Sequence, residues 1–142
     1  MRLETARSSD LAGIRWLLNY ESLPASDLDE SSLEKILVCR DDKGVVAVVG
    51  LEALGRVALL RSLVVDWEMR GQGLGVQLTK AAEALASRAG VESIYLLTTT
   101  AEEFFRAQGY RLLARSEAPL AIQSTTQFSE LCPSSAVLMV KP

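Results

Sequence analysis

The sequence predicts a single α+β domain, and three patterns along the chain support this prediction. Three strand-like segments separated by short turns lie between residues 36 and 66, which is typical of an antiparallel meander. A long amphipathic helix follows at 73–89, and a strand, a short helix and another strand follow over 93–115. The length of 142 residues fits one domain, which we expect to span the whole chain, 1–142.

The first 35 residues are predicted to form a short strand, a helix, a loop and a second short helix. The strand covers residues 2–6, and Ser8, Ser9 and Asp10 then offer oxygen acceptors that can cap a helix. This helix ends near Asn19, and its buried stripe comprises Leu11, Ile14, Leu17 and Leu18. Residues 23–32 contain Pro24 and are predicted to form a loop, with a short helix at 29–35 that borders a substrate pocket.

The middle of the chain alternates strands with turn signals. Strands are predicted at 36–40, 45–54 and 57–66, with turns at Asp41 to Gly44 and at Gly55 and Arg56. In the helix at 73–89, the apolar positions recur at steps of three and four residues, and Gly90 ends the helix. These apolar positions are Leu74, Leu78, Ala81, Ala82, Leu85 and Ala89.

The last third is predicted to form a strand–helix–strand unit followed by a closing strand. The unit comprises strands at 93–97 and 110–115 around a helix at 101–108 that Gly109 ends. Residues 118–131 are predicted to be partly helical up to Pro133, and a last strand covers 136–140.

Composition excludes several classes of function. The net charge is −3, so the chain has no basic excess of the kind that nucleic-acid binding requires. There is no histidine, which removes the Ser-His-Asp and Cys-His nucleophile systems and most zinc sites. We therefore expect neither a nucleic-acid partner nor a metal.

Cysteine usage and hydropathy favour a cytoplasmic location. Cys39 and Cys132 are far apart in the sequence, which is typical of reduced thiols, and Cys39 is expected in the core. The residues that follow Met1 lack the apolar segment of a signal peptide, and no apolar run approaches the roughly 20 residues of a membrane span. We expect no membrane partner.

The segment from Asp66 to Gly75 carries the main chemical signal. Here a strand ends, a turn with alternating glycines follows, and a long helix begins. Glycines allow backbone N–H groups to point into one concavity, and the helix N-terminus adds partial positive charge. The segment therefore predicts a site for pyrophosphate rather than a plain connection.

The identity of the phosphate ligand follows from a resemblance. Gly75 is followed by Val76 and Gln77, so the Walker pattern is absent, and the glycine spacing differs from the dinucleotide fingerprint. Arg70-x-x-Gly73-x-Gly75 fits Arg/Gln-x-x-Gly-x-Gly/Ala, and here the chain resembles the GNAT acetyltransferase superfamily. The resemblance implies acetyl-coenzyme A as co-substrate. It also implies a mixed, mostly antiparallel central sheet of about 6–7 strands flanked by about 4 helices.

A second segment extends the resemblance. Members of the superfamily often carry Asn-x-x-Ala-x-x-x-Tyr-x-x-x-Gly-Phe/Tyr after the fifth strand, and residues 98–110 take that place. Ala101, Gly109 and Tyr110 match, while Thr98 replaces the asparagine and Phe105 replaces the tyrosine. Residues 96–105 and 131–136 also resemble an acetyltransferase subgroup associated with arsenic-resistance operons.

The resemblance implies the residues that contact the cofactor. In the superfamily, the strand before the loop separates from its neighbour and pairs with the pantetheine arm, and the matching residues are Leu63, Val64 and Val65. The amide near Val65 takes the position that polarises the thioester carbonyl. Further expected contacts come from Arg70, Gly71, Gln72, Gly73, Leu74 and Gly75 at the pyrophosphate, and from Thr98 and Phe105.

The sequence offers more than one candidate for each group that transfers a proton. The usual acid of the superfamily is the tyrosine that Phe105 replaces, so water, Thr98 or Tyr110 takes this task, or the thiol of pKa about 8.5 leaves as thiolate. Tyr110 is alternatively a core aromatic, and Thr98 alternatively caps the next helix. The first choice of base is Glu52, which is alternatively a solvated strand residue, and Arg61 and Ser62 are weaker choices.

The acceptor is expected to be a small amine. An α-amine with a pKa near 8 is about a tenth neutral at pH 7, so it needs no strong base. We expect an amino acid-like or toxic amine, a role in detoxification and, by analogy with the superfamily, a homodimer. The alternative is a non-catalytic acyl-coenzyme A sensor or scaffold. Trp16 and Trp67 are interpreted as packing residues rather than stacking platforms.

Overall fold

The structure is a computed structural model that describes residues 3–21, 23, 25–131 and 134–142. The predictions that concern Arg2, Pro24, Cys132 and Pro133 lie outside the described residues. No helix among those residues is both long enough and apolar enough to span a bilayer.

Seven strands form one mixed, mostly antiparallel sheet, which confirms the predicted α+β class. Their order in the sheet is β1-β2-β3-β4-β5-β7-β6. The strands are β1 (Leu3–Thr5), β2 (Ile36–Asp41), β3 (Gly44–Leu54), β4 (Val57–Val65), β5 (Ser93–Thr98), β6 (Arg111–Leu113) and β7 (Val137–Lys141). The two predicted turns are present, and Gly44 and Gly55 have φ values of 123° and 78°, which glycine adopts without steric cost.

Four α-helices and one short π-helix accompany the sheet among the described residues. They are α1 (Leu11–Tyr20), α2 (Leu74–Arg88), α3 (Glu102–Ala107), α4 (Leu120–Gln123) and the π-helix Gln127–Leu131. Short 3₁₀ turns cover Ser8–Asp10, Glu30–Lys35, Trp67–Met69 and Arg115–Glu117. The element order agrees with the sequence prediction, although β6 is shorter than the predicted strand at 110–115.

The predicted strand–helix–strand unit is present, and the last strand lies between its two strands. β7 pairs antiparallel with both β5 and β6, so it lies between the two strands that α3 connects. Leu96 and Leu112 both face Met139 in the two registers. The two strands that α3 connects are therefore not adjacent in the sheet.

The chain divides into two compact units. The first comprises Met1–Leu51 and Ser62–Ala84, and the second comprises Glu52–Arg61 and Leu85–Pro142. Side chains from α1 form much of the first unit's core, with Ile14, Leu17 and Leu18 at 1% exposure or less. The second unit has its own cluster around Leu59, Ala118, Ile122 and Leu138.

Three details of the helices and the core differ from or refine the predictions. Ala89 is exposed, and Ala86, which the prediction omitted, is buried at 1% exposure. Asp10 does not cap α1, because its carboxylate accepts from the Arg7 N–H and from the Arg40 guanidinium. Cys39 lies in the core as predicted, and burial raises the pKa of its thiol.

Candidate active site

The second half of β4 has an unusual backbone in the first unit. Ser62 has a φ of 59°, in the left-handed region that L-residues other than asparagine and aspartate rarely adopt. Leu63 and Val65 are half-buried, while Val64 packs into the core at 6% exposure. The parallel register of β4 with β5 ends earlier, at Leu59 and Tyr95. The strand thus changes its backbone conformation immediately before the predicted pantetheine-binding residues.

A short turn connects the end of β4 to the glycine loop. The Asp66 N–H donates to the Val46 carbonyl of β3 at 2.7 Å, which fixes the end of the strand. The Asp66 carboxylate accepts from the Glu68 N–H at 3.0 Å, and this contact shapes the turn Trp67–Met69. These two hydrogen bonds therefore fix the backbone that precedes the glycine loop.

The loop from Arg70 to Gly73 is exposed and has alternating backbone handedness. Arg70 is extended with a φ of −71°, and the next residue, Gly71, has a φ of 84°. Gly73 also has a positive φ, of 78°, and an added Cβ at either glycine meets no atom within 4 Å. Both glycines thus have a backbone conformation that other residues rarely adopt, in an exposed loop that leads into α2.

The N–H groups of the loop have no partner in the described part of the chain. The first helical hydrogen bond of α2 runs from the Gln77 N–H to the Gly73 carbonyl at 3.0 Å. No N–H of residues 71–76 donates to another described residue. The N-terminus of the 15-residue α2 therefore presents a continuous row of donors and its partial positive charge.

Arg70 is engaged within the first unit. Its Nη2 donates to the Glu21 carboxylate at 2.5 Å, and its Nε donates to the Val65 carbonyl at 3.2 Å. The guanidinium also lies over the Trp67 ring, 5.4 Å from the ring centroid. Sequence analysis missed Glu21, because no local pattern links residues that are 49 positions apart.

The second unit holds the predicted base. The Arg61 Nη1 donates to Glu52 Oε1 at 3.1 Å, and these side chains are 6% and 25% exposed. No hydrogen bond joins Glu52 Oε2 to a described residue. The carboxylate is therefore held at one oxygen and open at the other.

The other predicted site residues of the second unit make contacts that stabilise the fold. Thr98 Oγ1 accepts from the Ala101 N–H at 3.0 Å, just before α3, which is the capping interpretation of this residue. Phe105 and Tyr110 are 5% and 3% exposed, and their rings meet edge to face at 5.6 Å. Burial thus favours the core-aromatic interpretation of Tyr110 over the acid.

The two tryptophans are exposed, so their interpretation as packing residues is wrong. Trp16 is 60% exposed and stacks on Tyr20 along α1, with ring centroids 5.2 Å apart. Trp67 is 70% exposed beneath Arg70. Within the described residues, no group of three or more Cys, Asp or Glu side chains is arranged to hold a metal ion.

Comparison with known families identifies the class of protein to which this fold and loop belong. Residues 32–112, more than half of the chain, match the acetyltransferase (GNAT) domain family. The chain belongs to this family. The matched range includes β2 to α3 and the whole glycine loop.

Individual relatives agree with this assignment. An uncharacterized N-acetyltransferase of Chlorobaculum tepidum is 36% identical over 67 residues, which cover 47% of this chain and 43% of that protein. The match thus spans less than half of that relative's length. It supports the family but does not cover a whole enzyme.

Solved structures share the fold. The Mycobacterium tuberculosis protein Rv2747, in a complex that contains CoA, has a TM-score of 0.83 at 18% identity, over 99% of this chain and 98% of that one. N-acetylglutamate synthase from Neisseria gonorrhoeae, complexed with coenzyme A and L-arginine, has a TM-score of 0.82 at 17% identity. That similarity covers 99% of this chain and 32% of the synthase chain.

Proposed function

We propose that this protein is an N-acetyltransferase that moves an acetyl group from acetyl-coenzyme A to the amine of a small molecule. The observation that carries the proposal is the row of N–H groups at residues 71–76, at the N-terminus of α2, that donate to no described residue. Family membership and the coenzyme A complexes of similar folds support it. The proposal treats residues 1–142 as one catalytic domain.

The loop binds the diphosphate of the co-substrate. Its donors are the N–H groups between Arg70 and Gly75, including those of Gln72 and Leu74. Glycine at 71 and 73 leaves the space above the loop open, since even an added Cβ would lie more than 4 Å from every described residue outside the adjacent backbone. A carboxylate or other side chain at either position would fill this space.

The strand before the loop binds the pantetheine arm. Leu63 and Val65 contribute backbone groups, while Val64 anchors the strand in the core. When bound, the co-substrate supplies an activated acetyl thioester. The backbone N–H near Val65 polarises its carbonyl, an effect worth about 2.7–4 kcal/mol for a well-placed donor.

Glu52 accepts the proton of the amine in this proposal. Its open oxygen is available for the amine, while Arg61 holds the other oxygen and so fixes the orientation of the carboxylate. Neither Phe105, which has no transferable proton, nor Tyr110, whose ring is buried, is assigned as the general acid. A thiol of pKa about 8.5 leaves as thiolate without an acid.

The acceptor class follows from this proton chemistry. An α-amine of pKa near 8 is favoured over a lysine-like amine of pKa near 10.4, because a far larger fraction of it is neutral at pH 7 and less depends on the base. We propose an amino acid-like or toxic amine. A detoxification role, the arsenic-associated subgroup, a cytoplasmic location and a homodimer remain predictions.

The activity is tested by thiol release. Purified protein is incubated with acetyl-coenzyme A and a panel of amino acids and polyamines while free thiol is followed. Release above the protein-free blank with at least one amine supports the enzyme. Binding of coenzyme A without release for any amine supports the alternative, a sensor or scaffold, which Phe105 at the tyrosine position favours.

The loop assignment is tested by Gly73→Glu. We expect coenzyme A binding, measured by calorimetry, to weaken by about tenfold or more, because the new carboxylate repels the diphosphate at close range. Gly55→Glu is the matched control, since Gly55 has the same φ of 78° and equally open surroundings in the β3–β4 turn. Equal affinity of the two variants would refute the loop assignment.

A further inference from the structure

The carboxylate of Glu21 lies beside the proposed diphosphate site. It follows α1 directly, and its carboxylate is 2.5 Å from the guanidinium of Arg70. Arg70 is the first residue of the loop motif, so its charge is the side-chain cation nearest in sequence to the row of open N–H groups. As the structure stands, this charge is neutralised by Glu21.

The contacts of Arg70 also reach the strand before the loop. Its Nε donates to the carbonyl of Val65, one of the backbone groups assigned above to the pantetheine arm. Its guanidinium covers the exposed ring of Trp67. One side chain thus contacts a proposed pantetheine-binding group, an exposed aromatic ring and a carboxylate in the same unit.

The Arg70–Glu21 pair is exchangeable rather than fixed. The two side chains are 44% and 27% exposed, and one guanidinium nitrogen makes the contact. Exposed pairs of this kind contribute little, and a diphosphate offers the guanidinium more negative charge and more acceptor oxygens than one carboxylate does.

We propose that Glu21 is a further residue that determines cofactor affinity, by competing with the diphosphate of coenzyme A for the guanidinium of Arg70. This inference rests on the proposed function. Binding of the diphosphate then breaks the Arg70–Glu21 pair, which is a contact between the end of α1 and the loop. Removal of the Glu21 charge makes binding tighter rather than weaker.

The decisive measurement is the dissociation constant of coenzyme A for Glu21→Gln. We expect binding that is about two- to five-fold tighter than in the unsubstituted protein at low ionic strength, since an exposed pair no longer has to be broken. The gain should shrink as salt is added, because salt screens exposed charges. In the Arg70→Gln background, the same substitution should give no gain.

Glu68→Gln is the matched control. It removes the same charge from the turn next to Arg70, and its carboxylate makes no hydrogen bond or ion pair with a described residue. Tightening by Glu68→Gln as large as by Glu21→Gln would overturn the proposal in favour of a general charge effect. Unchanged or weaker binding by Glu21→Gln would overturn it as well.

A second readout does not depend on the Glu21 variant. Because the chain has two tryptophans, Trp16→Phe leaves Trp67 as the single reporter beneath Arg70. We expect saturating coenzyme A to change Trp67 emission, and Arg70→Gln to remove this change. Unchanged emission with bound coenzyme A would mean that Arg70 keeps its place, which contradicts the proposal.

The outcomes separate this inference from the proposed function. If the unsubstituted protein binds coenzyme A and Glu21→Gln does not tighten binding, only the competition by Glu21 is refuted. If the unsubstituted protein does not bind coenzyme A at all, both proposals fall together.

Discussion

Two arginine–carboxylate pairs in the first unit share a shortest distance of 2.5 Å but differ in their surroundings. Arg40 contacts both carboxylate oxygens of Asp10, and these side chains are 18% and 7% exposed. Arg70 contacts one oxygen of Glu21, with exposures of 44% and 27%. The two pairs thus have the same shortest distance, but burial fixes the Arg40–Asp10 pair, whereas solvent and ligands can reach the Arg70–Glu21 pair.

The comparison shows that burial, rather than distance, determines the free-energy cost of separating such a pair. A buried charge that loses its partner keeps its desolvation cost, so the Arg40–Asp10 pair is expensive to break. An exposed charge is solvated again when the pair opens, so the Arg70–Glu21 pair is cheap to break. The first pair is suited to stability and the second to exchange with a ligand.

The largest expected effect is the loss of the buried pair. Asp10→Asn should lower the free energy of unfolding by roughly 1–3 kcal/mol, because Arg40 loses its buried carboxylate partner and keeps only the more exposed Glu4. Urea unfolding at neutral pH measures this change. Glu4→Gln is the control, since Glu4 binds the same guanidinium at 2.9 Å but is 44% exposed, and we expect at most about 1 kcal/mol there.

Acid should weaken the same pair gradually. The guanidinium of Arg40, as hydrogen-bond donor, holds the pKa of the Asp10 carboxyl below its ordinary value. A lowered pKa in the folded state means that the stabilisation is fully present above the unfolded value of about 3.9 and is lost as pH falls toward the folded value. The difference in unfolding free energy between the unsubstituted protein and Asp10→Asn should therefore shrink between pH 5 and pH 2. A difference that stays constant over this range would contradict the assignment.

The smallest expected effect is on the exposed pair. Arg70→Gln should change the free energy of unfolding by no more than about 1 kcal/mol, because both partners are solvated when they separate. Thermal or urea unfolding without ligand measures it. A loss comparable to that of Asp10→Asn would show that the Arg70–Glu21 pair is structural, and the contrast between the two pairs would disappear.

Local patterns predicted most of the fold. The turn at Gly44, the stripe of α1 and the end of α2 all depend on residues within a few positions of each other, so one sequence is sufficient. The position of β7 between β5 and β6 depends on pairing between distant segments, such as Leu97 with Leu138. No periodicity within β7 encodes that choice.

The backbone form of the glycine loop could be predicted from the sequence. Alternating glycines at 71 and 73 indicate a backbone with positive φ, and the structure has positive φ at both positions. Contacts between distant side chains were not predicted: Glu21 with Arg70, and Asp10 with Arg40, are 49 and 30 positions apart. Exposure of Trp16 and Trp67 was also missed, because a single aromatic residue carries no periodic signal.

The backbone of Ser62 has a consequence for which residues position 62 tolerates. Ordinary strands favour branched side chains such as valine and isoleucine, and disfavour glycine and asparagine. A φ of 59° reverses this ranking, since a branched Cβ clashes in the left-handed region whereas glycine and asparagine fit. In a library of all twenty amino acids at this position, survivors should therefore resemble those of a turn, although the residue lies in the interior of β4.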